Sequence, residues 1–363
     1  MKNVVHVIPD LPPCGAEKVV LTYLRKFKED SDYHVSVISL SSNQHRLYEQ
    51  AAEQEGLCIT YLGQDISNNG VFSRLRQIKQ LHQEIIVKQP DIIHIHLAIL
   101  WFVCLASIGT GVKKRFHTLH SDPEKTSYGI HVLIDRLCYI LFKVKPFALN
   151  EEMKDKANRL FKINTTRVLR NGIDLESYMN QPREELRKMF GIKKETFVLG
   201  HVGRFNKVKN HSKIIDIFKV VKTLNPQSKL LLVGDGEEMA YIMKKVRTYS
   251  LDNDVIFTGA RSDIPQMMAM MDCFIFPSLF EGLGIVLLEA QASGLKCVVS
   301  DTIPEEAIVS DKVYRMSLAD SCELWADRVV NENDRFKAVA KESIESYDIN
   351  QVISTLKSYY EHE

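Results

Sequence analysis

The sequence has almost no surplus of charge: 47 Lys and Arg stand against 46 Asp and Glu, a net of +1. Without a global field there is nothing to hold a polyanion by counterion release, so nucleic acid is not expected as a partner and any phosphate site must be local. A cysteine framework is also missing. The seven cysteines, Cys14, Cys58, Cys104, Cys138, Cys273, Cys297 and Cys322, are odd in number and never form a C-x-x-C. That pattern argues against a disulfide scaffold or a zinc knuckle and for a reducing compartment. Long apolar runs are lacking too. The longest uncharged stretch, Leu97 to Val112, has 16 residues, short of the ~20 that span hydrocarbon, and reads as a buried helix. At the N-terminus, MKNVVHVIPDL is broken by Pro9 and Asp10 before it reaches signal-peptide length. These absences predict a cytoplasmic protein. There is no short-period repeat, and neither first strand–helix turn carries G-x-G-x-x-G, which disfavours a nicotinamide dehydrogenase.

What is present is an alternation of short β-rich runs with longer segments whose apolar residues recur at three and four. That alternation is the signature of parallel sheets flanked by helices, an α/β protein. Strands are expected at Val4-Pro9, His34-Leu40, Cys58-Leu62, Ile92-His96, Phe116-Leu119, Pro146-Leu149 and Arg167-Arg170. After Asn171-Gly172-Ile173-Asp174 a polar, charged segment intervenes. The alternation then restarts, with strands at Phe197-Val202, Leu230-Val233, Val255-Thr258, Cys273-Pro277 and Lys296-Ser300. Two doubly wound units follow, 1–174 and 175–345, with a last helix within 346–363 that has no strand after it. Ligands of such units lie at the carboxyl ends of the strands.

Three segments place glycine or polar residues between an expected strand and a helix: Cys14-Gly15-Ala16-Glu17-Lys18, Gly203-Arg204-Phe205-Asn206-Lys207-Val208-Lys209, and Glu281-Gly282-Leu283-Gly284. Free N–H groups at a helix start favour an anion, glycine lets it approach, and Arg204 and Lys209 add fixed positive charge. Each segment alone equally fits a glycine turn with solvated charges; the three together favour a diphosphate. Glu281 and Glu289 lie eight positions apart, about 12 Å along a helix, so they do not form a paired glycosidase dyad and must do different jobs. His94 and His96 share a strand face, but no carboxylate or third histidine sits at ligand spacing, so no metal is expected. Asp30-Ser31-Asp32 and Asp252-Asn253-Asp254 read as solvated turns.

FPSLFEGLGIVLLEAQASG, read with HVGRFNKVKNH, LLLVGDGEE, VIFTGARSDIP and RNGID upstream, resembles the retaining glycosyltransferases of family 4, along nearly the whole chain and in the family's order. The resemblance implies the GT-B fold: two Rossmann-like domains facing across a cleft, the N-terminal one binding acceptor, the C-terminal one binding a nucleoside-diphosphate sugar, and a final helix crossing back. It implies that Arg204 and Lys209 hold the diphosphate in place of a metal. Glu281 would contact the donor sugar's hydroxyls, with Gly282, Leu283 and Gly284 lining sugar and phosphate, and Glu289 would reach the ribose. Gly15 matches the N-terminal glycine loop, where the family shows two glycines and this chain has Cys14 at the first. Arg261 lies where the family's loop meets the nucleobase, and His120 matches the histidine near the reacting centre.

The expected function is retaining transfer of a hexose-type sugar from a nucleoside diphosphate, UDP by family preference, to a hydroxyl of a saccharide or lipid-linked acceptor in cell-surface polysaccharide assembly. No cofactor is expected. An epimerase or hydrolase of nucleotide sugars on the same fold, or a non-catalytic sugar-nucleotide-binding subunit, are the alternatives. Lys113-Lys114-Arg115 beside Leu97-Val112, and Ile130-Lys143 with Arg136, fit either buried helices with solvated ends or a surface resting peripherally on the inner face of the membrane.

Overall fold

The computed structural model describes residues 1–12, 15–44, 46–63, 71–331 and 344–363; Cys14 lies outside them. The chain divides into two compact units, one formed by 1–173 with 346–363 and the other by 174–345.

In the first unit the strands are β1 (Lys2–Ile8), β2 (Tyr33–Ser39), β3 (Ile59–Tyr61), β4 (Ile92–His96), β5 (Lys114–Leu119), β6 (Lys145–Ala148) and β7 (Arg167–Val168). Between them run α1 (Gly15–Phe27), α2 (Leu47–Gln54), α3 (Val71–Lys88), α4 (Leu100–Ala106), α5 (Pro123–Thr126), α6 (Ile130–Leu141) and α7 (Glu151–Phe161). All strands pair in parallel, in the order β3-β2-β1-β4-β5-β6-β7. Parallel strands covered on both faces read as continuous apolar runs, and the buried residues 4–8 of β1 and all of β4 are such runs interrupted only by histidines: His6 stands opposite His94 in the β1–β4 register. The uncharged stretch around α4 is buried as the sequence predicts, with Leu100, Phe102, Val103 and Ala106 in the core. The outcome for α6 is different. Only Cys138 and Tyr139 of that helix are buried, whereas Ile130, Leu133, Leu137, Ile140 and Leu141 face solvent. Of the two aspartate pairs read as turns, Asp30 pairs with Lys357, and Asp252 and Asp254 with Arg247 and Lys222.

The second unit opens with α8 (Leu175–Tyr178) and α9 (Arg183–Met189), in the segment whose charge marks the boundary in the sequence. That segment is anchored rather than loose: Arg183 and Arg187 donate to opposite oxygens of Asp272, each at 2.6 Å, and Asp272 also accepts from the Val198 amide. Then follow β8 (Val198–Val202), α10 (His211–Leu224), β9 (Lys229–Val233), α11 (Met239–Thr248), β10 (Val255–Phe257), α12 (Ile264–Ala269), β11 (Cys273–Phe276), α13 (Ile285–Ala292), β12 (Lys296–Ser300), β13 (Val313–Met316) and α14 (Cys322–Val330). The sheet order is β10-β9-β8-β11-β12-β13, again parallel throughout. Edge strand β13 is absent from the sequence reading because its residues are only half-buried and carry no apolar run.

The C-terminal helix (Ile349–His362) belongs to the first unit. Its buried residues, Ile349, Val352, Ile353, Leu356 and Tyr360, recur at three and four and form one stripe. Ile173 donates to the Tyr347 carbonyl at 2.7 Å and accepts from the Ile349 amide at 2.9 Å. Tyr360 reaches the sheet itself, its hydroxyl 2.7 Å from His94 Nδ1 and its ring 5.1 Å from that of Phe116. Removing one partner of a buried hydrogen bond leaves the other unsatisfied. Tyr360→Phe is therefore expected to cost about 1–3 kcal/mol, read by urea denaturation of the purified protein, with the secondary structure in far-UV circular dichroism unchanged.

Candidate active site

In a doubly wound sheet the connections leave in opposite directions at one pair of neighbouring strands, and the crevice opens there, beyond their carboxyl ends. In the second unit that pair is β8 and β11. The loop after β8 is held at both ends: Gly203 donates to the Val233 carbonyl and Phe205 to that of Asp235, both at 2.9 Å. Gly234, at φ +141°, lies so close that a Cβ there would meet the Gly203 carbonyl oxygen at 2.0 Å, so only glycine permits this approach. Phe205 is buried beneath, stacked on His211 at 3.9 Å between ring centroids.

The two loops are tied together by Leu279 N donating to Val208 O at 2.8 Å and Asn210 Nδ2 to Pro277 O at 3.1 Å. Across them Lys209 Nζ stands 2.6 Å from Glu281 Oε1 and 4.9 Å from the Phe276 ring centroid. Gly282 and Leu283 lead into α13, with Gly284 as its N-cap at φ +78°; the first N–H groups of such a helix have no intrahelical partner. Glu289 is buried one turn and a half into α13, an environment distinct from that of Glu281, as the eight-residue spacing requires. Arg204 is exposed and faces Glu237 at 3.2 Å, a surface pair that is worth little and easily exchanged. Arg261, on the loop after β10, folds back on Asp263 through two bonds of 2.8 and 2.6 Å. The second unit thus brings Lys209, Glu281 and the Gly282–Gly284 turn together, with Arg204 on the same loop as Lys209; Arg261 belongs to another strand end.

In the first unit the corresponding strand pair is β1 and β4. Gly15 opens α1 beyond β1, and His120 follows β5 directly. His120 Nε2 lies 2.9 Å from His96 Nδ1, and His96 Nε2 lies 2.8 Å from His6 Nδ1. His94 stacks on His96 at 4.5 Å, its own nitrogens taken by Tyr360 and by Thr118 Oγ1 at 2.7 Å. So a third histidine does stand beside His94 and His96, supplied by β1, which spacing along one strand cannot reveal. The nitrogens of His6, His94 and His96 come within 4.8 Å of one another. However, both nitrogens of His94 and of His96 already have hydrogen-bond partners, and His6 Nδ1 is bonded to His96, so these nitrogens are engaged within the protein. Burial holds these imidazoles neutral: His6 and His120 are pushed down to about 3, the charge of His117 adding to the effect on His120.

Residues 13–177 match the family model described as Glycosyltransferase Family 4, and residues 182–329 that of Glycosyl transferases group 1. Over 99% of this chain and 96% of its counterpart, the sequence is 30% identical to a putative glycosyltransferase, EpsF, of Bacillus subtilis. The chain belongs to glycosyltransferase family 4. It is 27% identical to the UDP-Gal:alpha-D-GlcNAc-diphosphoundecaprenol alpha-1,3-galactosyltransferase of Escherichia coli, over 68% of this chain and 66% of that one. Its fold is that of Anabaena HepE, solved in complex with UDP and glucose, at a TM-score of 0.81, 19% identity and full coverage of both chains. The architecture is therefore GT-B and the protein a glycosyltransferase.

Beside the Gly15 turn lies a polar cluster to which the sequence reading gave no role. Arg46 Nη1 donates to Asp10 Oδ2 and Arg46 Nη2 to Glu49 Oε1, at 2.8 and 2.9 Å. Glu17, in the first turn of α1, is buried with its Oε2 unpartnered. Its burial, reinforced by the Asp10 charge and opposed by its own backbone amide and by Arg46, pushes the carboxyl up to about 7. The unfolded chain releases this proton near pH 4.5, so stability falls as pH rises from 4.5 to 7 and is flat above. Glu17→Gln cannot ionise. It is expected to match the wild type at pH 4 and to be more stable at pH 8 by roughly 2–3 kcal/mol, measured by urea unfolding at the two pH values.

Proposed function

We propose that this glycosyltransferase moves a hexose-type sugar, with retention and without a metal ion, from a nucleoside diphosphate to a hydroxyl of a saccharide or lipid-linked saccharide in polysaccharide assembly. The observation that carries the reading is the Lys209–Glu281 pair beside the Gly282–Gly284 turn, a cation for phosphate and a carboxylate for sugar hydroxyls side by side at a helix N-terminus. In the transition state the bond from the anomeric carbon to the diphosphate oxygen breaks and negative charge gathers on the departing phosphate. Lys209 and Arg204 meet that charge, which is where fixed cations contribute most. The acceptor oxygen attacks on the face from which the diphosphate leaves, and its proton passes to a leaving phosphate oxygen. Charge neutralisation by two side chains and helix N–H groups makes a metal unnecessary. Glu289 serves the ribose, Arg261 the base, Gly15 the phosphates and His120 the reacting sugar.

UDP is the proposed carrier; the Escherichia coli relative is named for a UDP-sugar donor and a diphosphoundecaprenol-linked acceptor. A lipid-linked acceptor suits a protein that rests on the bilayer. Among the described residues no helix is long and apolar enough to cross a membrane. On α6, however, Ile130, Leu133, Leu137, Ile140 and Leu141 are exposed along one stripe and Lys143 follows them in the open, the composition of an interfacial helix on anionic lipid.

Two experiments test these readings. In a thermal-shift panel of UDP, GDP, ADP and their sugars, the UDP series is expected to stabilise the native protein. Arg204→Ala and Lys209→Ala should lose that shift and lower transfer about 10²- to 10³-fold; full turnover in both would remove the diphosphate assignment. In flotation with vesicles containing phosphatidylglycerol, the protein is expected to float in a salt-sensitive way and Leu137→Glu with Ile140→Glu to stay behind. Sedimentation of the wild type away from the vesicles would refute the membrane contact.

A further inference from the structure

The bonds from His6 to His96 and from His96 to His120 make a chain of three neutral imidazoles inside the first unit. A neutral imidazole carries one N–H. Because both nitrogens of His96 face another imidazole, it donates to one neighbour and accepts from the other. The three rings therefore share one direction: all carry the proton on Nδ1, or all carry it on Nε2.

The ends of the chain decide between the two. His6 Nε2 and His120 Nδ1 are both buried without a partner, but His6 is wholly enclosed in the middle of the sheet, whereas His120 is a partly exposed residue at the carboxyl edge. With the protons on Nε2, His6 would leave an N–H unsatisfied deep in the sheet, which is costly and rare. With the protons on Nδ1, His6 leaves only a lone pair, and the N–H without a protein partner is that of His120, at the sheet's carboxyl edge, where a bound ligand would supply the missing acceptor. The second unit already tolerates that same buried arrangement. His201, on β8, lies 2.8 Å from the Ile275 carbonyl through Nδ1, which must be the donor, and its buried Nε2 is left bare.

We propose that His96 and His6 are positioning residues that hold His120 as its Nδ1–H tautomer, so that it meets the reacting sugar as a hydrogen-bond donor and not as a base. The inference rests on the reading of His120 as a residue at the reacting centre. It deepens that reading by fixing which state of His120 meets the sugar, one with no lone pair to offer, in keeping with the passage of the acceptor proton to the leaving phosphate: Nδ1 is protonated and Nε2 accepts from His96. The neutrality that burial imposes on His6 and His120 is the condition for such a chain.

The test is the 15N spectrum of histidine-labelled protein at pH 7, in which protonated and bare ring nitrogens differ widely in shift. His6, His96 and His120 are each expected to show a protonated Nδ1 and a bare Nε2. A protonated Nε2 on His120 overturns the proposal before any variant is made. His96→Asn keeps an N–H donor at the Nδ1 position, whereas His96→Phe keeps only the stacking. Asparagine is expected to preserve both the His120 tautomer and the kcat for UDP release from UDP-glucose. Phenylalanine is expected to mix the two tautomers and lower kcat about tenfold or more with KM unchanged, as misprotonation of a catalytic imidazole does. An unmixed His120 spectrum in His96→Phe overturns the proposal. Wild-type turnover in His120→Ala would instead overturn the underlying role of His120, and the spectrum, which needs no turnover, tells the two failures apart.

Discussion

Parallel pairing is the constraint from which the remainder of this molecule follows. When every strand of a sheet points the same way, every strand ends at one edge, and the loops leaving that edge are the only places where polar side chains can gather without entering the core. The order of strands then selects where along the edge they gather. In the second unit β8 and β11 are neighbours although two strands and three α-helices separate them in the chain, so Lys209 and Glu281, 72 positions apart, fall within a hydrogen bond of each other. Neither charge is fully solvated, and each keeps the other from being a lone half-buried ion. A ligand that offers phosphate to the lysine and hydroxyls to the glutamate replaces both halves of the bond at once, which is why such a pair is a better receptor for a sugar phosphate than either group alone.

The backbone around this pair is fixed by contact rather than by charge. Gly234 admits the Gly203 carbonyl where any side chain would collide with it, and Phe205, wedged on His211, fills the space below. Positioning of this kind matters because the interactions that accelerate transfer are those already aimed at the charge of the transition state. Arg204, exposed on the same loop and paired with Glu237 at the surface, is the most solvated member of the set.

Much of this was legible in the sequence. Long apolar strand runs, such as those of β8, β11 and β12, are visible because they are buried on both faces, and the glycine-bearing turns stand out because they follow those runs. The edge strand β13 escaped because half-burial leaves no run to read. Periodicity suggested that α6 was amphipathic but could not say which side met the core: that Cys138 and Tyr139 are buried while Ile130, Leu133, Leu137, Ile140 and Leu141 are exposed follows from the packing and not from the pattern. The histidines were the deepest omission. Two-residue spacing put His94 and His96 on one face of β4, yet the partner that completes the chain stands on β1, 90 positions from His96. Register between strands distant in sequence is a property of the sheet and leaves no local trace.

That omission bears on why the first unit has a polar interior at all. A histidine in the middle of a buried strand is a poor choice for stability, since a neutral ring must find partners for its nitrogens where the backbone offers few. The second unit meets the cost in the simplest way, with the His201 ring bonded to a carbonyl of the neighbouring strand. In the first unit the same strand position is linked instead to a second imidazole, and that one to a third at the carboxyl edge. A carbonyl would have satisfied His6 equally well and carried nothing further. An imidazole passes the choice of tautomer along, because each ring's donor forces the next ring's acceptor. The chain therefore connects the buried middle of β1 to the residue that follows β5, and the hydroxyl of Tyr360 holds the adjacent His94 in place beside it. The C-terminal helix meets this arrangement through Tyr360, whose hydroxyl bonds the ring against which His96 is stacked.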